Sequence, residues 1–104
     1  TNLTIEGEQR DLLPQVDLTL FRAVQESLSN TIKHAQATRF SVTMKYQTDG
    51  KIELILEDDG IGTDTHNGGF GLIGIRERVN LQNGSFVIES DKGRGVTIKL
   101  EVPA

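Results

Sequence analysis

The chain has 104 residues, no cysteine and a net charge of −4, from 11 basic and 15 acidic side chains. This length favours one domain with a single core, and the lack of cysteine excludes disulfides and thiolate metal sites. An acidic chain without a broad basic surface is not expected to bind nucleic acid directly. No apolar run reaches the length of a membrane-spanning helix. Because the sequence starts at Thr1 without an initiator Met, we expect residues 1–104 to be one domain of a longer protein, located in the cytoplasm, with any membrane anchor in that parent.

The first predicted elements are a short strand and a long helix. Residues 3–6 alternate apolar and polar side chains, which is typical of a strand. Apolar residues then recur every three or four positions, and this period predicts a helix from an N-cap at Asp17 to Ala35. Its buried stripe is predicted to contain Phe21, Val24, Leu28, Ile32 and Ala35. The opposite face then carries Glu26, Asn30, Lys33 and His34. That mixture is unusual for a solvated face, because Asn is a poor helix former.

A pair of adjacent strands is predicted next. Alternating apolar residues predict a strand over 40–46, and the Asp49-Gly50 turn leads into a second strand over 52–56. Ile55 occupies an outward position of that second strand. An apolar residue there indicates a strand that is covered on both faces, as a central strand would be.

A second helix is predicted where Leu72, Ile75 and Val79 recur, and it is expected to end at Asn83-Gly84. Two further strands are predicted near the end of the chain. The resulting order fits neither strict alternation of strands and helices nor an all-β fold. It fits an α+β two-layer sandwich, in which helices cover one face of a mixed five-stranded sheet.

A carboxylate and two glycines follow the predicted central strand, in the run Asp58-Asp59-Gly60-Ile61-Gly62. Glycine at positions 60 and 62 lets a flat ligand approach the backbone. A carboxylate only accepts hydrogen bonds, so Asp58 can select an amino group such as that of adenine and disfavours the keto oxygen of guanine. An ordinary Asp-Gly turn after a strand is the alternative from these residues alone.

A second glycine run, Gly69-Phe70-Gly71-Leu72-Ile73-Gly74, opens the second predicted helix. Backbone N–H groups at a helix N-terminus bind phosphates, so this run predicts a phosphate site. A dinucleotide-binding turn is the rival interpretation. That turn follows its strand directly, whereas about ten mostly polar residues intervene here.

Four stretches together are similar to the ATP-binding catalytic domain of bacterial two-component sensor histidine kinases. Residues 26–35 resemble the N box of these kinases, and residues 58–62 resemble the G1 box. Residues 69–79, which include Arg76-Glu77-Arg78, resemble the G2 box in the form found in the nitrate/nitrite-sensor-like (NarL-partner) subfamily. The final Gly93-x-Gly95 strand also matches. The resemblance implies the GHKL (Bergerat) fold, which type II topoisomerases, Hsp90 and MutL share.

The resemblance also implies a ligand, Mg²⁺-ATP, and a role for each matched residue. The residue matching Asp58 binds the adenine amino group, the one matching Asn30 coordinates Mg²⁺, and the one matching Glu26 is the catalytic base or polarising group. The implied ATP site comprises Asn30, Lys33, His34, Asp58, Gly60, Ile61, Gly62, Gly69, Phe70, Gly71, Leu72 and Thr97. Val96 stands where the family often has Thr, and Thr97 follows one position later, so the hydroxyl contact of the family is an open point here.

In such kinases the γ-phosphoryl group passes to a histidine of the dimerisation domain and then to a response regulator, here expected to be of the LuxR type. This chain has two histidines, His34 and His66, and neither matches the acceptor histidine of that dimerisation domain. We therefore expect the chain to bind ATP without phosphorylating itself. Two alternatives are an anti-sigma-factor-type serine kinase of the same superfamily and a non-catalytic nucleotide-sensing module. Arg76-Glu77-Arg78 argues against the first, and the pairing of Glu26 with Asn30 argues against the second.

Overall fold

The computed structural model describes residues 2–8, 11–30, 39–58, 70–91 and 95–103. Their strands and helices, in chain order, are β1 (Asn2–Glu6), α1 (Pro14–Asn30), β2 (Phe40–Tyr46), β3 (Lys51–Asp58), α2 (Phe70–Leu81), β4 (Ser85–Asp91) and β5 (Gly95–Pro103). The strands form one sheet in the order β1-β2-β3-β5-β4. β1 runs parallel to β2, and the other neighbouring strands are antiparallel.

The hydrophobic core lies between the two helices and one face of this sheet. On β3, the alternating residues Ile52, Leu54 and Leu56 are buried in the core, together with residues of both helices. The predicted α+β sandwich, with helices on one face of a mixed five-stranded sheet, is therefore confirmed within the described ranges.

β3 is the central strand, as Ile55 indicated, but its second face is not covered in the way that the prediction implied. Ile55 is only half-buried on the face opposite the core, and no described helix packs there. The predicted turn before β3 is confirmed. Gly50 has a φ angle of 89°, and the Asp49 carboxylate Oδ1 accepts the N–H of Lys51 at 3.1 Å.

Helix α1 begins three residues earlier than predicted. Pro14 is its first residue, and the carbonyl oxygen of Leu13 accepts the N–H groups of Val16 at 2.9 Å and of Asp17 at 3.0 Å. The N-cap prediction at Asp17 is therefore wrong, since Asp17 lies in the first turn of the helix. Proline is well suited to the first helical position, because its fixed φ matches the helix and no N–H is lost from the helical ladder there.

The buried stripe of α1 also differs from the predicted one. Phe21 is 64% exposed, while Val24 and Leu28 pack only against the edge of the core. The fully buried residues form a neighbouring stripe of small and medium-sized side chains: Val16, Thr19, Leu20, Ala23 and Ser27. The remaining predicted members, Ile32 and Ala35, lie outside the described residues, as does the predicted end of the helix.

Helix α2 ends where the sequence predicted. Asn83 adopts a left-handed φ of 61°, its N–H donates to the carbonyl of Asn80 at 3.1 Å, and the N–H of Gly84 donates to the carbonyl of Val79 at 2.9 Å. This pattern is a Schellman C-cap, in which Asn or Gly commonly supplies the left-handed residue. The cap turns the chain from the helix layer into β4.

Candidate functional site

A hydrogen-bonded contact joins the two helices where α2 ends and α1 begins. The side-chain amide Nε2 of Gln82, just after α2, donates to the Thr19 hydroxyl at 2.8 Å and lies 3.4 Å from the carbonyl of Gln15. Both acceptors lie in the N-terminal half of α1. Because the helices also pack against each other, we infer that they run antiparallel, with the C-terminal end of α1 and the N-terminal end of α2 at the other end of the helix layer.

That other end of the helix layer lies over the end of the sheet that carries Asp58. Gly84, which follows α2, packs tightly on Glu101 and Val102, near the C-terminal end of β5. In the register of the sheet this end of β5 pairs with the start of β3, whereas Asp58 is the last residue of β3. A 17-residue helix and an eight-residue strand each span about 25 Å, so both reach from one end of the domain to the other.

Asp58 is held against the first residues of β5. Its carboxylate Oδ1 accepts the N–H of Val96 at 3.3 Å, and Asp58 is half-buried. Gly95 has a φ of 94°, and a Cβ atom at this position would overlap the carbonyl oxygen of Asp58 and lie 3.2 Å from Oδ1. The glycine is therefore needed both for its backbone conformation and for the close approach of the two strands.

The structure brings Asp58 together with Val96 but not with Thr97. In the register of β3 and β5, Asp58 pairs with Val96, and Glu57 pairs with Thr97. Side chains alternate along a strand, so Asp58 and Val96 lie on the helix-covered face. Thr97 and Glu57 lie on the open face of the sheet. The sequence-based assignment of Thr97 to the nucleotide site is therefore not supported, because its hydroxyl is on the wrong side of the sheet.

The remaining described site residues lie at the facing ends of the two helices. Glu26 is half-buried in the C-terminal part of α1, and Asn30, four residues later, is the last described residue of that helix. The backbone of Phe70, Gly71 and Leu72 forms the first turn of α2, directly after Gly69 in the sequence. The described side chains do not include those of Asn30, Phe70 and Leu72. The predicted site residues that lie outside the described residues altogether are Lys33, His34, Gly60, Ile61, Gly62 and Gly69.

Ser27 is a buried polar residue that the sequence interpretation missed. Its side chain lies on the core-facing stripe of α1, 4% exposed, and its Oγ has no hydrogen-bond partner among the described residues. The available signal was its place in the sequence, directly after Glu26 and three residues before Asn30. Apolar periodicity is carried by hydrophobic residues, so it gives no signal at a buried serine.

Two kinds of feature are absent from the part of the chain that the structure describes. No described helix is long and apolar enough to span a membrane. Across ranges 2–8, 11–30, 39–58, 70–91 and 95–103, no group of three or more His, Cys, Asp or Glu side chains is arranged to hold a metal ion. Within those ranges, the candidate site offers the carboxylates of Asp58 and Glu26 and the backbone of the first described turn of α2.

The sequence profile of the histidine kinase-, DNA gyrase B- and HSP90-like ATPase family matches residues 15–104. The chain belongs to this ATPase family. The resemblance to sensor histidine kinases is confirmed as well, since the matching relatives carry that name. The family match covers α1 from Gln15 onward, α2 and the strands β2 to β5, and so it includes every residue assigned to the candidate site.

Several relatives of this ATPase domain are sensor histidine kinases. The kinase/phosphatase DegS of Brevibacillus brevis is 41% identical over 85% of the chain, and DegS of Bacillus subtilis is 38% identical over 94%. The oxygen sensor kinase NreB of Staphylococcus carnosus is 34% identical over 86% of the chain. The chain spans 23%, 27% and 26% of the lengths of these three relatives.

Solved structures of histidine kinases share the fold of this ATPase domain. The histidine kinase domain of the blue-light-activated kinase from Erythrobacter litoralis superposes with a TM-score of 0.75 at 21% identity. The superposition covers 98% of this chain and 54% of the Erythrobacter chain. Full-length ShkA, solved in complex with AMPPNP, superposes with a TM-score of 0.77 at 16% identity. This superposition covers 98% of this chain and 25% of the ShkA chain. At these low sequence identities, the structural similarity shows a shared fold.

Proposed function

We propose that the chain is the ATP-binding catalytic domain of a sensor histidine kinase, and that ATP lies where Asp58, the end of α1 and the start of α2 converge. The single observation that carries this proposal is the setting of Asp58. Its carboxylate is half-buried on the helix-covered face, and the Val96 N–H and the close approach of Gly95 hold it in place.

The position of Asp58 suits recognition of the adenine base. A carboxylate only accepts hydrogen bonds, and the N–H of Val96 fixes the position of one of its oxygens, Oδ1. The 6-amino group of adenine is a donor that matches such a carboxylate. Guanine carries a keto oxygen at that position, and two acceptors would then face each other without a shared proton.

The two helix ends suit the phosphates and the metal ion. The N-terminus of α2 presents backbone N–H groups and the positive end of the helix dipole, which favours phosphate groups. Asn30 is the last described residue of α1, and Mg²⁺ binds an amide oxygen together with phosphate oxygens and water. We assign Lys33, His34, Gly60, Ile61, Gly62, Gly69, Phe70, Gly71 and Leu72 to the ATP site on the strength of their match to the family motifs.

Phosphoryl transfer requires few chemical groups, since most of its catalysis is positioning and charge neutralisation. ATP supplies the γ-phosphoryl group. Glu26 lies one helical turn before Asn30 and is half-buried, so it can polarise the acceptor imidazole beside the metal-bound phosphates. We propose that the acceptor is a histidine of a dimerisation domain elsewhere in the parent protein. A response regulator, which we propose is of the LuxR type, then receives the group.

Calorimetric titration of the 104-residue chain with ATP, with and without Mg²⁺, tests this proposal. We expect ATP binding that strengthens when Mg²⁺ is present, and weaker binding of GTP, because the keto oxygen of guanine faces Asp58. Absence of ATP binding in both conditions would refute the proposal. Equal affinity for ATP and GTP would refute the role of Asp58 while leaving a nucleotide site in place.

A further inference from the structure

Ser27 has an unusual environment for a helical serine. A buried helical hydroxyl commonly donates to the carbonyl four residues earlier. Thr19 does so, with its Oγ1 2.8 Å from the carbonyl oxygen of Gln15. Ser27 makes no such bond to Ala23. The residue is only 4% exposed, and its Oγ has no hydrogen-bond partner in the described part of the chain. A hydroxyl buried in this way is poorly satisfied until another polar group reaches it.

The place of Ser27 in the fold indicates where that polar group would come from. Ser27 lies in the last turn of α1, on the stripe that faces the sheet. That end of α1 covers the end of the sheet where Asp58 and Val96 lie, and both of those side chains are on the helix-covered face. Val96 contributes no polar side-chain atom to this space. Ser27 and Asp58 are thus polar groups on the two layers that meet at the proposed base-binding end of the domain.

We infer that Ser27 is a positioning residue for the purine base. Its hydroxyl hydrogen-bonds to the edge of the base, directly or through one bound water, and so helps to align the 6-amino group with Asp58. A hydroxyl both donates and accepts, so it can satisfy either a ring nitrogen or a water that also binds the carboxylate. This inference rests on the proposed function, because it assigns a residue to the same ATP site.

The variants Ser27→Ala and Ser27→Cys test the inference in the 104-residue chain. Ala removes the hydroxyl, while Cys keeps the volume of the side chain with a much weaker hydrogen bond. We expect both variants to bind Mg²⁺-ATP roughly 5- to 10-fold more weakly, as the loss of one hydrogen bond predicts. ADP should lose affinity by the same factor, since the hydroxyl acts on the base and not on the γ-phosphate.

The matched control is Thr19→Ala, which removes a buried hydroxyl from the other end of the same helix. It should lower the stability of the ligand-free domain and leave ATP affinity unchanged. Ser27→Ala should do the reverse, with ligand-free stability equal to or above that of the wild type, because a hydroxyl without a partner is removed.

Three outcomes would overturn the inference, and they separate it from the proposed function. If the wild type binds ATP and Ser27→Ala binds it equally well, Ser27 is a small core residue and the proposed function stands. If Ser27→Ala loses affinity and stability together while Ser27→Cys restores both, the role is volume rather than hydrogen bonding. If the wild type itself does not bind ATP, both the inference and the proposed function fail.

Discussion

Gly95 lies so close to Asp58 that a Cβ atom at position 95 would overlap the Asp58 carbonyl oxygen. Its φ angle of 94° is also one that residues with side chains rarely adopt. Gly95→Ala is therefore expected to lower the free energy of unfolding by about 3 kcal/mol, since backbone strain and steric overlap add. The variant should also bind ATP more weakly, because Asp58 must move. Urea denaturation and calorimetry measure the two effects.

Gly50→Ala provides a matched control for that prediction. Gly50 has a similar φ of 89°, but a Cβ atom at position 50 would have no neighbouring atom within 4 Å. An alanine here bears only the cost of the left-handed backbone conformation, so the expected loss in the free energy of unfolding is about 1 kcal/mol. ATP affinity should not change. Equal losses of stability in the two variants would contradict the importance of the contact between Gly95 and Asp58.

Replacing Asp58 by Asn changes the hydrogen-bonding character of the site without changing its shape. The amide oxygen of Asn can still accept the N–H of Val96, so stability should change little. The interaction between a carboxylate and the adenine amino group is lost, and we expect ATP to bind roughly 10- to 100-fold more weakly. Discrimination between ATP and GTP should fall in the same titrations.

Glu57→Gln is the control for Asp58→Asn, because it removes a neighbouring carboxylate from the opposite face of the same strand. ATP affinity should stay within about twofold of the wild type, since Glu57 lies away from the helix layer and exposed-charge effects are small. A large loss of affinity in Glu57→Gln would indicate that overall charge, rather than the placement of Asp58, governs nucleotide binding.

The contact between Gln82 and Thr19 should stabilise the fold without affecting the site. Thr19→Val leaves the Gln82 amide without the hydroxyl that now accepts its hydrogen bond at 2.8 Å. We expect a loss of about 1–2 kcal/mol in the free energy of unfolding. Gln82→Leu should cost less, because it also removes a side-chain oxygen, Oε1, that is buried without a partner among the described residues.

A double-mutant cycle isolates this interaction. Combining Thr19→Val with Gln82→Leu should cost less than the sum of the single changes, with a coupling free energy of about 1 kcal/mol. ATP affinity should be unchanged in all three variants, because the contact lies at the end of the helix layer away from Asp58. Additive losses of stability would show that the two side chains do not act as a unit.

The strands were predicted well because their signal is local. Alternation of apolar residues over 40–46 and the Asp49-Gly50 turn fix both strand position and facing, and the observed β2 and β3 follow them. Asn83-Gly84 likewise forms the predicted helix end, since few residues tolerate the left-handed conformation of a C-cap. Such features need no knowledge of the partner elements.

The errors arose where tertiary packing overrides a local pattern. The predicted stripe through Phe21 follows the large apolar residues, whereas the buried stripe carries the smaller Ala23 and Ser27, which let the helix approach the sheet. The assignment of Thr97 follows the family motif, whereas the alternation of Val96, Ile98, Leu100 and Val102 places Thr97 on the opposite face of the strand. What a single sequence does not show is the register, in which Val96 rather than Thr97 pairs with Asp58.

Glu26→Gln should separate nucleotide binding from phosphoryl transfer. The change keeps the size of a half-buried side chain near the end of α1, so Mg²⁺-ATP affinity should stay within about threefold of the wild type. Loss of the polarising carboxylate is expected to slow phosphorylation of the dimerisation domain of the same kinase roughly 100-fold or more, the usual contribution of a general base. Radiolabelled phosphoryl transfer to that domain, added in trans, measures the rate.

Glu77→Gln, on an exposed position of α2, controls for the loss of one negative charge and should transfer at the wild-type rate. Transfer by Glu26→Gln at the rate of Glu77→Gln would remove Glu26 from the mechanism, because the site would then rely on positioning and charge neutralisation alone.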